Sequence, residues 1–209
     1  MLRNYKHIIW DWNGTLLNDV DLCLEVMNGM LTKRHLPQMT KAYYREIFTF
    51  PVRHYYEQLF DLADGLFEQL SIEFISTYEA RLPEAPLHSG ARAALEQINA
   101  SGRSQSILTA AKQDSVIEAA QRLEIAQYFL GIVGLNNIYA HSKVENGKQW
   151  LAELNHDPNE VLLIGDTAHD FEVAQVLGVD CALIANGHQS KAKLDKCNVQ
   201  IFASLRELF

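Results

Sequence analysis

Asp11 ends a short apolar run, His7 to Trp10, and opens the hexapeptide Asp11-Trp12-Asn13-Gly14-Thr15-Leu16. A carboxylate in that place can attack phosphorus and form an aspartyl phosphate that water later opens. The same letters also fit a tight turn, because Asn-Gly between apolar residues favours a hairpin with Asp11 as its polar strand end. Far along the chain, Val161 to Ile164 leads into Gly165-Asp166-Thr167-Ala168-His169-Asp170, with carboxylates four residues apart. Asp166 and Asp170 can then face one side of a helix's first turn, where oxygen ligands suit a hard cation such as Mg²⁺. Acidic residues are also favoured there by the helix dipole alone. Thr109, after the run Ser106 to Leu108, offers a hydroxyl to a phosphoryl oxygen or a cap to a turn. Lys143, in His141-Ser142-Lys143-Val144-Glu145, or Lys148 one turn onward, can bring a positive charge to the same place.

Such residues need elements to hold them. Apolar runs recur at His7–Trp10, Ser106–Leu108, Ile132–Val133, Val161–Ile164 and Cys181–Ile184, each with the length and composition of a buried parallel strand. Helical patterns lie between most of them, over Ala91–Ala100, Ser115–Leu123, Gly147–Leu154 and Ala168–Leu177, the last closed by Gly178. This alternation predicts an α/β fold with a doubly wound parallel sheet, whose ligand site lies at the carboxyl ends of the strands. Val20 to Leu82 breaks the alternation: Leu22, Val26 and Met30, then Leu70, Phe74 and Tyr78, keep helical spacing, and no strand pattern appears. We expect an all-helical insertion over residues 19–82, with residues 1–18 and 83–209 forming the core domain. Ser89 is placed to cap the helix that follows.

The 209 residues suffice for one core with a smaller insertion. Hydrophobic residues form 48% and charged residues 21% of the chain, which excludes disorder and low-complexity readings. A net charge of −8 with no Lys/Arg cluster argues against nucleic acid and anionic membranes as partners. Three scattered cysteines, Cys23, Cys181 and Cys197, form no disulfide or zinc pattern. With no apolar stretch near the ~18 residues of a membrane span, the expectation is a cytoplasmic protein.

The order of the motifs resembles the haloacid dehalogenase superfamily over nearly the whole chain, most of all the branch with a helical cap after the first motif, which includes the phosphoglycolate phosphatases. That resemblance implies a Mg²⁺-dependent phosphatase acting on a small phosphorylated metabolite. It makes Asp11 the nucleophile and a metal ligand, with Asn13 lending its backbone carbonyl to the metal. Thr109 and Lys143 would bind the phosphoryl group, and Asp166 and Asp170 would hold the metal directly or through water. The protein partner to expect is a second copy of the chain, as a homodimer.

The chain departs from the family at Asn13, where phosphatases carry a second aspartate that protonates the leaving alkoxide and activates water. An amide does neither. Two alternatives therefore stand: a phosphonatase- or dehalogenase-type hydrolase, or a phosphometabolite-binding protein without turnover. Within the insertion, Phe50-Pro51-Val52-Arg53-His54-Tyr55 offers Arg53 as a clamp for a substrate anion, or as an ordinary surface cation. His54, His169 and His188 are candidates for the missing proton donor.

Overall fold

The computed structural model describes residues 2–62, 65–135 and 143–209. Six parallel strands form one sheet: β1 (His7–Trp10), β2 (Ser104–Lys112), β3 (Gly131–Leu135), β4 (Val161–Gly165), β5 (Asp180–Ile184) and β6 (Gln200–Phe202). Their order is β3-β2-β1-β4-β5-β6, so the direction of winding reverses between β1 and β4.

The uninterrupted apolar runs have a simple cause. Side chains alternate between the two faces of a strand, and here both faces are covered. Ile8, Trp10, Leu162 and Ile164 pack into one core with Leu95, Ile98 and Ala120, carried by helices α5 (Ala91–Ala100) and α6 (Gln113–Arg122). Ile9, Leu108 and Leu163 pack on the other face against Val173, Ala174 and Leu177 of α8 (Ala168–Leu177), with Trp150 of α7 (Lys143–Leu154) beside them. Each such fully buried aliphatic side chain contributes about 1.5–3 kcal/mol, so this pair of cores fixes the strand ends beneath the site. Gly178, at φ 70°, closes α8 as its sequence suggested.

Between β1 and β2 the chain forms α1 (Val20–Lys33), α2 (Lys41–Ile47), α3 (Val52–Tyr56) and α4 (Leu66–Arg81). Its entry and exit run side by side. Leu17 bridges Leu87, Asn18 N donates to Pro86 O at 2.8 Å, and His88 N donates to Leu16 O at 2.8 Å. No helix among the described residues is long and apolar enough to cross a membrane.

Three local expectations need correction. Asn13-Gly14 is a turn but not a hairpin: Trp12 O accepts from the amides of Leu16 and Leu17, and β1 pairs only in parallel. Ser89 does not cap α5, because Gly90 holds the N-cap position in the left-handed region and Ser89 Oγ instead accepts from Arg206 at 2.6 Å. The third helical pattern starts four residues earlier than Gly147, at Lys143. β6 has no strand signature in the sequence, because it has three residues, of which only Phe202 is buried.

Candidate active site

The sheet's reversal point opens a crevice at the carboxyl ends of β1 and β4, and the expected residues converge on it. Asp11 follows β1 directly, and its amide donates to Ile164 O of β4 at 2.8 Å. Lys143, the first residue of α7, reaches across with Nζ 2.6 Å from Asp11 Oδ1 and 2.5 Å from Asp170 Oδ1. The other Asp170 oxygen accepts from the Thr167 amide at 3.0 Å and the Thr167 hydroxyl at 2.8 Å, closing a capping box at the start of α8. Asp166 is held on both sides: Oδ1 accepts from Thr15 Oγ1 at 2.9 Å and Oδ2 from His188 N at 2.6 Å. Its approach depends on Gly14, at φ +73°, where an added Cβ would lie 2.3 Å from Asp166 Oδ2.

Thr109 is buried within β2, inside the irregular stretch where the register with β3 shifts between Leu108 and Lys112. Its Oγ1 accepts from Ala111 N at 3.1 Å, which leaves the hydroxyl proton free to donate. Of the two lysines, Lys143 is buried at the site, whereas Lys148 pairs with Glu145 at 2.9 Å on the surface. His141 and Ser142 lie outside the described residues.

Three buried carboxylates, Asp11, Asp166 and Asp170, place oxygens within 4.8 Å of one another around one ammonium. Burial, reinforced by Asp170 and Asp166, pushes Asp11 up to about 8 against the opposing pull of Lys143. Burial likewise raises Asp166 to about 6, with His188 opposing. Asp170 moves the other way: burial would raise it, but Lys143 and Thr167 hold it below the usual carboxylate range. Lys143 keeps its proton because Asp11 and Asp170 outweigh the cost of its burial. The surplus negative charge and the all-oxygen donor set fit a hard divalent cation such as Mg²⁺.

Asn13 lies beside this group in a second network that the sequence did not reveal. Its Nδ2 donates to Asp19 Oδ2 at 2.9 Å and lies 2.7 Å from the Tyr78 hydroxyl, which itself donates to Asp19 Oδ2 at 2.8 Å. Asp19 also accepts from Gly14 N at 2.8 Å and sits 3.3 Å from His188 Nε2. Burial alone would raise Asp19, but His188, Asn13 and Tyr78 hold it down to about 2. His188 is raised to about 9, since Asp19 outweighs burial, and its Nδ1 bonds the Tyr44 hydroxyl at 2.7 Å. Both ring nitrogens of His188 are therefore engaged. The only sequence signal for Asp19 was an acidic residue ahead of a helix, which dipoles explain equally well.

A cavity of about 360 Å³ extends from these residues toward the helical segment and includes His169, whose ring stacks on Phe50 at 4.9 Å. Arg53 and His54 do not line it. Arg53 pairs with Glu57 at 3.3 Å and lies over the Phe67 ring at 5.1 Å.

Residues 8–184 match the model of the haloacid dehalogenase-like hydrolase family, so the chain belongs to that family of hydrolases. N-acetylmuramic acid 6-phosphate phosphatase of Pseudomonas putida is 25% identical over 192 residues, spanning 88% of this chain and 84% of the relative. A haloacid dehalogenase-like family protein from Streptococcus pneumoniae shares the fold with a TM-score of 0.84 at 22% identity, covering 98% of this chain and 97% of its own. A predicted phosphoglycolate phosphatase from Haemophilus somnus 129pt aligns with a TM-score of 0.77 at 17% identity, over 100% of this chain and 98% of its own.

Proposed function

We propose that the protein is a Mg²⁺-dependent phosphatase that hydrolyses a small phosphorylated metabolite through an aspartyl phosphate on Asp11. The observation that carries this reading is the Asp11 carboxylate at the end of β1, with Oδ1 held by Lys143 at 2.6 Å and Asp166 and Asp170 close by. Among the described residues its Oδ2 has only a long contact, 3.4 Å from Thr15 Oγ1, and is the oxygen available for attack. In the first step an Asp11 oxygen forms a bond to phosphorus while the ester P–O bond breaks, the electron pair leaving with the alkoxide. Water then attacks phosphorus and the bond to the Asp11 oxygen breaks, which releases inorganic phosphate and restores the carboxylate, while the proton that water gives up balances the alkoxide released in the first step.

Lys143 steadies the phosphoryl oxygens and keeps Asp11 aimed; the Thr109 hydroxyl donates to a second phosphoryl oxygen. Asp11, Asp166, Asp170 and the Asn13 carbonyl are the groups that would hold Mg²⁺, which when bound neutralises phosphoryl charge. Residues 19–82 act as a cap that excludes bulk water from the core formed by residues 1–18 and 83–209. Free thiols at Cys23, Cys181 and Cys197 suit a cytoplasmic setting. Phosphate release from a panel of phosphorylated metabolites tests the reading: it should require Mg²⁺, stop on chelation with EDTA and return on adding Mg²⁺. Tight Mg²⁺-dependent binding without any release would favour a non-catalytic binding protein instead.

A further inference from the structure

The cavity beside Asp11 has an asymmetric lining. Toward the core it is polar and charged; toward the helical segment it is made largely of Phe50, Tyr55, Phe74, Ile75 and Tyr78. Every lysine and arginine between residues 19 and 82 is turned to another partner. Lys33 and Arg34 pair with Glu73, Lys41 with Asp21, Arg53 with Glu57, and Arg81 with Glu25 and Glu84, while Arg45 donates to the Asn186 carbonyl. None of these six lines the cavity, but Glu79 does. Against that wall a carboxylate on the leaving group would meet apolar surface and a like charge, and would lose its water without gaining a cation from the helical segment.

On the core side Lys143 is already shared by Asp11 and Asp170. Among the described residues that leaves Lys112, an exposed side chain on the last residue of β2, as the remaining lysine or arginine on the lining. The cavity, at about 360 Å³, is more than twice the ~150 Å³ apolar space that takes up benzene in a protein core, so a ring fits with room for the phosphoryl group. Aromatic walls favour an aromatic occupant through stacked and edge contacts.

We propose that the favoured substrates are phosphate monoesters of uncharged, ring-bearing alcohols, and that monoesters of small hydroxy acids are disfavoured. This specificity rests on the phosphatase reading above. Its structural determinants are the aromatic wall and Glu79, together with the diversion of all six cationic side chains of the helical segment.

Steady-state phosphate release from benzyl phosphate, ethyl phosphate and phosphoglycolate tests the proposal, because all three leave as alkoxides and differ mainly in what enters the cavity. At saturating Mg²⁺, kcat/KM for benzyl phosphate should exceed that for each of the others at least ten-fold. Glu79→Arg, at an exposed position, should raise phosphoglycolate relative to benzyl phosphate by ten-fold or more. Phosphoglycolate turned over as well as benzyl phosphate by the parent protein would overturn the assignment and point to Lys112 as its anion partner. If the parent releases phosphate from none of the three, titration calorimetry with Mg²⁺ and the same esters separates the two claims. At least ten-fold tighter binding of benzyl phosphate would then retain the cavity assignment while the phosphatase reading fails; equal binding would refute the cavity assignment as well.

Discussion

The Asn13 amide donates to Asp19 Oδ2 at 2.9 Å, and Asp19 is a buried carboxylate held ionised by His188, Asn13 and Tyr78. This contact gives the departure from the family pattern a physical reason. An aspartate at position 13 would set a second carboxylate against Asp19 with no proton between them. The chain has placed its carboxylate at Asp19, facing His188 and the Gly14 amide, and the neighbouring position must donate.

Asn13→Asp should therefore destabilise the protein by about 1–3 kcal/mol, the range for losing a buried hydrogen bond and leaving its acceptor unpaired. Asn13→Asp combined with Asp19→Asn reverses the donor and acceptor, and should recover at least half of that loss. It should also speed turnover of alkyl phosphates ten-fold or more, because the group at position 13 can then take up a proton and pass it to the leaving alkoxide, which an amide cannot do. Urea denaturation of the four proteins in a double-mutant cycle measures the coupling; strict additivity would show that the two residues do not act as a pair.

Gly14 and Gly29 make a matched test of close approach. Gly14→Ala meets both a left-handed backbone, which costs a residue with Cβ about 1–2 kcal/mol, and the Asp166 carboxylate at 2.3 Å. It should lower turnover at least ten-fold and raise the Mg²⁺ concentration needed for half-maximal rate. Gly29, inside α1 with open space around it, should accept alanine with a gain of about 0.5–1 kcal/mol. Equal behaviour of the two variants would mean that the position of Asp166 is not set by Gly14.

His7 governs part of the acid sensitivity. It is buried in β1 with its ring nitrogens at 2.7 and 2.8 Å from the Ser104 and Ser106 hydroxyls, and burial, aided by His156, lowers it to about 4. The unfolded chain binds a proton near 6.5 while the folded chain resists until about 4, so stability is lost as pH falls between these values. The slope from this residue is about 1.4 kcal/mol per pH unit. Unfolding free energies of the parent and of His7→Asn, measured from pH 6.5 to 4.5, should differ in slope by about that amount. Parallel curves would place the acid sensitivity elsewhere, for instance at His88, which burial lowers similarly.

The parts of the site legible in the sequence were those written in short local patterns. Asp11, Thr109 and Asp166 each stand at the end of an apolar run, with Asp170 one helical turn beyond Asp166, and a parallel sheet carries such ends to one edge whatever the tertiary detail. Lys143 was legible only as one of two lysines, since both lie on one helix and the choice depends on which turn faces β1. The second network was hidden for a different reason. Asp19, Tyr78, Tyr44 and His188 come from the two ends of the helical segment, from α2 and from the loop after β5, and no local period links them. Arg53 illustrates the converse: a cation beside a helix start looked like a substrate clamp, but Glu57 one turn on and the Phe67 ring hold it outside the cavity.

On the proposed mechanism Asp11 carries the phosphoryl group between the two steps. Rapid acid quench during turnover of a radiolabelled phosphate ester, followed by proteolysis and peptide mapping, tests it most directly. Label should appear on the peptide containing Asp11, at a level that rises when breakdown is slowed, and none in Asp11→Asn, whose turnover should fall at least a thousand-fold with its folded circular dichroism spectrum retained. Phosphate release without label at Asp11, together with an active Asp11→Asn protein, would contradict it.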